Sequence, residues 1–244
     1  MTKFQTLAIA AVILLSNAPL TYAGDADQPA AAFSGTLDMV SDYVFRGVTQ
    51  SDEHPAVQGS FDYEHASGLY AGVWGSNVDF DDGGVTSLEI DVYGGFKFFS
   101  EGINWDISGE GNFYPGSHQG SDHYNYLEAS ITANRSLGPV DTTAQFNYSP
   151  NYFADSGDEI YIGLDGTAPI AVSGFSLLAS AGYQWVEKEA NFGVPDCADW
   201  SAGVGYAWQG FDLALKYADT NLSKTDCADG CEARGVFSVS KTFN

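Results

Sequence analysis

Residues 33–46, FSGTLDMVSDYVFR, separate into two faces when read in steps of two. Phe33, Gly35, Leu37, Met39, Ser41, Tyr43 and Phe45 form one face. Ser34, Thr36, Asp38, Val40, Asp42, Val44 and Arg46 form the other. A period of two is a strand signal, because successive side chains leave opposite sides of the pleat. The run is far longer than the ~5–6 residues usual for a strand in a soluble domain. A long strand that is apolar and aromatic on one side and ionic on the other fits the wall of a transmembrane β-barrel. Lipid takes the first face there and a polar lumen takes the second.

The pattern recurs along the chain. Strands are expected over 33–46, 56–64, 69–78, 88–98, 103–113, 123–134, 140–148, 159–167, 175–186, 200–208, 211–217 and 234–243. The 88–98 segment is the cleanest, with Leu88, Ile90, Val92, Phe96 and Phe98 opposed to Glu89, Asp91, Tyr93 and Lys97. The count is even, and the connections are longer after odd-numbered strands than after even-numbered ones. Outer-membrane barrels show that asymmetry between external loops and periplasmic turns. The fold class is therefore read as an all-β, transmembrane antiparallel β-barrel of about twelve strands. A soluble sandwich or lipocalin-like barrel is the competing architecture. It would hide its apolar face and use shorter strands, so strand length and the aromatics near strand ends favour the membrane wall.

Composition limits location and partners. Lys3, an apolar run from Leu7 to Leu15 and the small-residue site Thr21-Tyr22-Ala23 read as a signal peptide over 1–23, cut after Ala23. An uncleaved anchor is the alternative, but the run falls short of the about 20 residues that a spanning helix needs. Residues 24–32 form an expected flexible lead, and 33–244 the outer-membrane barrel. Outer-membrane lipid and the barrel-assembly machinery follow as partners. Phe237, Val239 and Phe243 share a face near the C-terminus, as an assembly signal should, with Lys241 on that face snorkelling at the periplasmic rim. Asp and Glu total 32 against 9 Lys and Arg, a formal charge of −23. That excess excludes nucleic acid, which requires a cationic face, and attracts cations.

Residues 42–51 (DYVFRGVTQS), followed by Pro55, resemble the opening signature of the proteobacterial TorF-like porin family, also called the Gcw_chp family. Residues 89–96 (EIDVYGGF) resemble its second recognisable block. The resemblance covers essentially the mature chain. It implies an outer-membrane barrel acting as a pore, and supplies no substrate, cofactor or site residue.

The polar face should line the lumen. Its expected members are Asp38, Asp42, Arg46, Asp62, Glu64, Glu89, Asp91, Lys97, Asp106, Glu110, Glu128, Asp141, Asp165, Asp212 and Lys216. Carboxylate rings favour cations, so the expected function is a porin or channel passing small hydrophilic solutes, cationic or neutral. Against this stands a lumen plugged by its own side chains, with the acids paired to Arg46, Lys97 and Lys216. Barrels of eight strands are filled and those of sixteen hold water, and twelve lies between. Arg46 is expected either to order the first external loop through an ion pair or to act as a constriction charge. A non-conducting structural or adhesion barrel with acidic loops is the alternative function, and a lipid-acting enzyme a further one.

Secretion permits disulfides. A bridge from Cys197 to Cys227 or Cys231 would staple two external loops, and the alternative closes Cys227 on Cys231 locally. The spacing does not choose, and one thiol is left over either way. His118, Asp122 and His123 share one loop and read as solvated rather than as a metal site. Ser117, Ser121, His123 and Asn125 lie close in sequence without the Ser/His pair and third group that a hydrolase requires. No phosphate-cradling glycine loop, His-Glu-x-x-His or Cys-x-x-Cys occurs. No catalytic residue, metal or cofactor is expected.

Overall fold

The computed structural model describes residues 31–117, 123–171 and 173–244. The expected signal peptide, most of the lead, and His118, Ser121 and Asp122 lie outside the described residues. Twelve strands close into one antiparallel barrel. They are β1 (Ala31–Val40), β4 (Ala56–His65), β5 (Leu69–Asn77), β6 (Leu88–Ser100), β7 (Ile103–Phe113), β8 (Tyr126–Leu137), β9 (Val140–Ser149), β10 (Glu159–Pro169), β11 (Phe175–Val186), β12 (Cys197–Trp208), β13 (Phe211–Thr220) and β14 (Arg234–Phe243). Two short strands, β2 (Val44–Phe45) and β3 (Val48–Thr49), pair only with each other. Each wall strand pairs with its sequence neighbour, and β1 also pairs with β14, from Gly35 opposite Phe243 to Val40 opposite Ser238. Closure leaves no unpaired edge, the condition for a sheet to cross a bilayer.

The alternation works inside out relative to a soluble protein. On β6, Leu88, Val92 and Phe96 are exposed on the outer surface, while Glu89, Asp91, Tyr93 and Lys97 are buried in the interior. Phe33, Phe61, Leu127, Ile131, Leu164 and Leu215 extend the apolar outer band around the barrel. An apolar belt this continuous marks a surface made for a non-aqueous neighbour. The wall strands run from 9 to 13 residues, matching the about 9–11 that a tilted transmembrane strand needs. Among the described residues no helix is long and apolar enough to cross a membrane. Lys241 packs over the Phe211 ring at 4.3 Å, so the last strand keeps its apolar face despite the charge.

The two ends differ. At one, β6–β7 and β12–β13 are joined by two-residue turns, Glu101-Gly102 and Gln209-Gly210, whose residues all have positive φ. That is the requirement of a type I′ hairpin turn, which matches the twist of the strands it joins. At the other end the loops are long and carry aromatics inward. Phe80, Tyr114, Tyr124 and Phe153 pack on one another there, with Tyr124 and Phe153 stacked at 4.4 Å.

Three expectations are corrected. The first strand does not reach Arg46. It ends at Val40, and Ser41 closes the last ladder contacts with Phe237: its N–H donates to the Phe237 carbonyl at 2.8 Å, and its hydroxyl oxygen accepts from the Phe237 N–H at 2.9 Å. The chain then leaves the wall and folds inward. Tyr43 and Phe45 therefore do not face lipid: Tyr43 is buried against Trp74, with ring centroids 5.6 Å apart, and Phe45 is half-buried. Cys197 lies in the β12 ladder opposite Gln184, not in a loop. Its side chain is buried and its thiol free, while Cys227 and Cys231 bridge locally. The bridge across loops is not formed, because the ladder holds Cys197 inside the barrel wall.

Candidate functional site: a hairpin folded into the barrel

The segment 41–51 forms a tight hairpin inside the barrel. Its arms, Val44–Phe45 and Val48–Thr49, are joined by Arg46 and Gly47, both at positive φ (47° and 82°). An arginine at positive φ costs about 1–2 kcal/mol relative to glycine, so the surroundings must repay it. Gly47 is dictated by space as well as by φ. A Cβ there would meet the Thr220 methyl and come within 2.9 Å of the Asp199 Cβ.

Three sets of contacts fix the hairpin root. Asp42 accepts from the Thr49 hydroxyl at 2.6 Å, the Ser51 hydroxyl at 3.2 Å and Arg234 Nη1 at 2.9 Å. The Tyr43 N–H donates to Ser51 Oγ, and the Gln50 N–H to the Tyr43 carbonyl. The Thr49 N–H donates to the Gly230 carbonyl at 2.9 Å, inside the loop closed by the Cys227–Cys231 bridge. That loop is held in turn by the Thr220 hydroxyl, which donates to the Cys231 carbonyl at 2.8 Å.

The tip crosses to the opposite wall. Arg46 Nη2 donates to both oxygens of Glu128 on β8 at 3.0 and 2.8 Å, and Nη1 to Glu159 on β10 at 2.9 Å. The guanidinium lies 4.6 Å from the Phe45 ring centroid and 4.4 Å from that of Tyr161. Asn147 donates to Glu128 and Gln184 to Glu159. All three charged side chains are at most 5% exposed. A planar cation in a bidentate fork between two acids and two rings is the arrangement for which arginine is suited and lysine is not.

The other acids fall into separate groups. Nearer the short turns, Glu64 faces Lys97 at 3.4 Å, Asp106 accepts from the Tyr70 hydroxyl at 2.9 Å, and Asp62 accepts from the Tyr93 and Ser60 hydroxyls. Nearer the long loops, Glu89 accepts from the Tyr114 hydroxyl. Asn112, with its amide turned towards them, donates to Asp91 and Glu110 at 3.2 and 3.1 Å. Asp38 is fully buried across from Ser240, and Asp212 is half-buried opposite the same serine. Asp165 and Lys216 line one cavity. Asp141 lies apart, exposed at the rim, where it accepts from the Ser136 hydroxyl.

Several interior residues escaped the sequence reading. Glu159 opens β10, and its shared parity with the inward Tyr161 is a signal that could have found it. Asp199 needed β12 to begin at Cys197. Arg234, Asn147 and Gln184 are recognisable only by what they hold. On the loops, His123 faces Asp155 at 3.5 Å in an exposed pair, while the buried Ser117 donates to the Tyr114 carbonyl and Asn125 accepts from the Tyr114 N–H. These do not converge on a nucleophile.

By fold the barrel is similar to the NanC porin, at 8% identity and a TM-score of 0.52 over 86% of this chain and 98% of that one. It is also similar to the COG4313 outer membrane channel from Pseudomonas putida F1, at 11% identity and a TM-score of 0.51 over 91% and 100% of the two chains. No curated protein matches the sequence. A family model, described as a bacterial protein of unknown function, matches residues 24–243, and the chain belongs to that family, Gcw_chp.

Proposed function

We propose that this protein is an outer-membrane channel for small hydrophilic solutes, cationic or neutral, whose bore is narrowed by the hairpin 41–51. The Arg46 tip carries the reading: it spans the interior and is pinned between Glu128 and Glu159. A segment that serves only the wall has no reason to cross the lumen at the cost of a strained arginine. The remaining interior acids outnumber the interior cations, which favours cations along the path. The apolar outer band and closed ladder fit insertion in the outer membrane after secretion, with lipid around the wall and the assembly machinery delivering it. The porin fold supports the same reading, as does the resemblance to TorF-like porins.

A planar-bilayer recording under a potassium chloride gradient tests it. The expected result is a small conductance with a reversal potential of cation sign, and anion preference overturns the selectivity. The second reading, a non-conducting structural barrel, draws on the aromatics packed over the long-loop end. Absence of conductance in both the wild type and Arg46→Ala would decide for it.

A further inference from the structure

A cavity of about 130 Å³ lies between the hairpin and the barrel wall, lined from β9 to β14 and from β1, β4 and β5. Asp42, Arg46, Tyr161, Asp165, Asp199 and Lys216 line it. Most of these charges are already engaged. Asp42 holds Arg234 and two hydroxyls. Arg46 is committed to Glu128 and Glu159. Asp165 and Lys216, of opposite charge, share the cavity lining. Asp199 differs: it is only 8% exposed, its Oδ1 accepts a long bond from the Tyr161 hydroxyl at 3.4 Å, and its Oδ2 has no hydrogen-bond partner. A buried carboxylate oxygen without a donor is costly, and Asp199 lines the cavity.

We propose that this cavity binds a small organic ammonium ion, with Asp199 as its anionic partner. The proposal rests on reading the interior as a solute path, along which this is a holding point. An ammonium carries three N–H donors. One meets the Asp199 carboxylate, and the others have neutral acceptors among the cavity-lining Ser180, Ser201 and Gln145. Ser180 and Ser201 already lie 2.7 Å apart, so a hydroxyl oxygen is available without rearrangement. Size agrees, since a protein cavity of about 150 Å³ accommodates benzene, and an alkylammonium of four to six heavy atoms is of that order. A metal ion fits poorly. Calcium takes about six to eight oxygens and magnesium a strict octahedron. Among the described residues the clusters with three converging ligands are Asp52, His54 and Asp79, and Glu53, Asp229 and Glu232, neither of which includes Asp199.

The test is titration calorimetry of propylammonium chloride into the detergent-solubilised barrel at constant ionic strength. Binding to the wild type is expected, weakened about tenfold or more in Asp199→Asn, which loses a charge-assisted bond. Ser201→Val keeps the charge, fills the cavity and should also weaken binding. It decides the matter if Asp199→Asn does not fold, as judged by heat-modifiable gel migration. No binding to the wild type, affinity unchanged in the variants, or equal competition by sodium overturns the proposal. Binding in a barrel that never conducts overturns the channel reading and leaves this site standing. Conductance without binding does the reverse.

Discussion

Replacing Arg46 by alanine removes the group that carries the hairpin tip across the barrel. The structure gives it three charge-assisted bonds, at 2.8, 2.9 and 3.0 Å, and two rings within 4.6 Å. Their gross worth overstates the effect, because docking also desolvates the guanidinium and two carboxylates. The better guide is the cost of taking one partner from a buried pair, about 3–5 kcal/mol. Alanine recovers none of the backbone strain, since φ at position 46 stays positive in the docked form. At about 1.4 kcal/mol per tenfold, the docked hairpin loses on the order of 10²- to 10⁴-fold in population relative to the undocked form. Single-channel recording should show larger and noisier conductance in Arg46→Ala than in the wild type. Thermal melting should fall with it, because Glu128 and Glu159 are left facing each other. Adding Glu128→Gln and Glu159→Gln removes that repulsion and should recover melting while the larger conductance persists. An Arg46→Ala barrel with wild-type conductance, reversal potential and melting refutes the account.

Three further outcomes follow from the same contacts. Gly47→Ala adds a Cβ at φ 82° against Thr220 and Asp199, at about 1–2 kcal/mol for the backbone and a further ~1–3 for overpacking. Chymotrypsin should then cut at Tyr43 or Phe45 in the folded barrel, and a Gly47→Ala barrel as resistant as the wild type would contradict the docked geometry. Cys227→Ser with Cys231→Ser opens a five-residue ring, worth about 2 kcal/mol in the chain-entropy picture, and frees the Gly230 carbonyl that Thr49 uses. Lower melting and a hairpin more open to protease are expected, and an unchanged profile on reduction would show that the loop does not support the hairpin. Beyond the wall, Asp226 is held below the ordinary carboxylate range by hydrogen bonds from the Ser223 hydroxyl and N–H. Its contribution to loop order is therefore complete above the usual value near 3.8 and is lost as pH falls through its lower folded value. The Ser223 amide resonance should move in that acid range and stay still in Asp226→Asn.

Most of the wall was legible because lipid and lumen impose the same alternation on every strand. Residues 175–186 and 234–243 were placed at both ends, since a turn residue and a period change coincide there. Residues 123–134 were placed early and short, because the polar run before Tyr126 and the Arg135-Ser136 pair carry no periodic signal. Individual inward acids such as Glu89, Asp91 and Glu128 were legible from parity alone. Their partners were not. Glu128 meets Arg46 across 82 positions of sequence and Glu159 meets it across 113, and no local pattern encodes such a pairing.

The motif at 42–51 shows where the division falls. The sequence by itself determined that the alternation runs as far as Arg46 and that its neighbours form a two-faced barrel wall. A period of two reports a pleated backbone and says nothing of what lies against each face. Tyr43 and Phe45 would give the same alternation against lipid or against Trp74. Only the closed barrel supplies a buried acid pair on the far wall, a carbonyl from the disulfide loop and Arg234 beside Asp42. Those long-range contacts turn the end of the first strand into a hairpin across the interior.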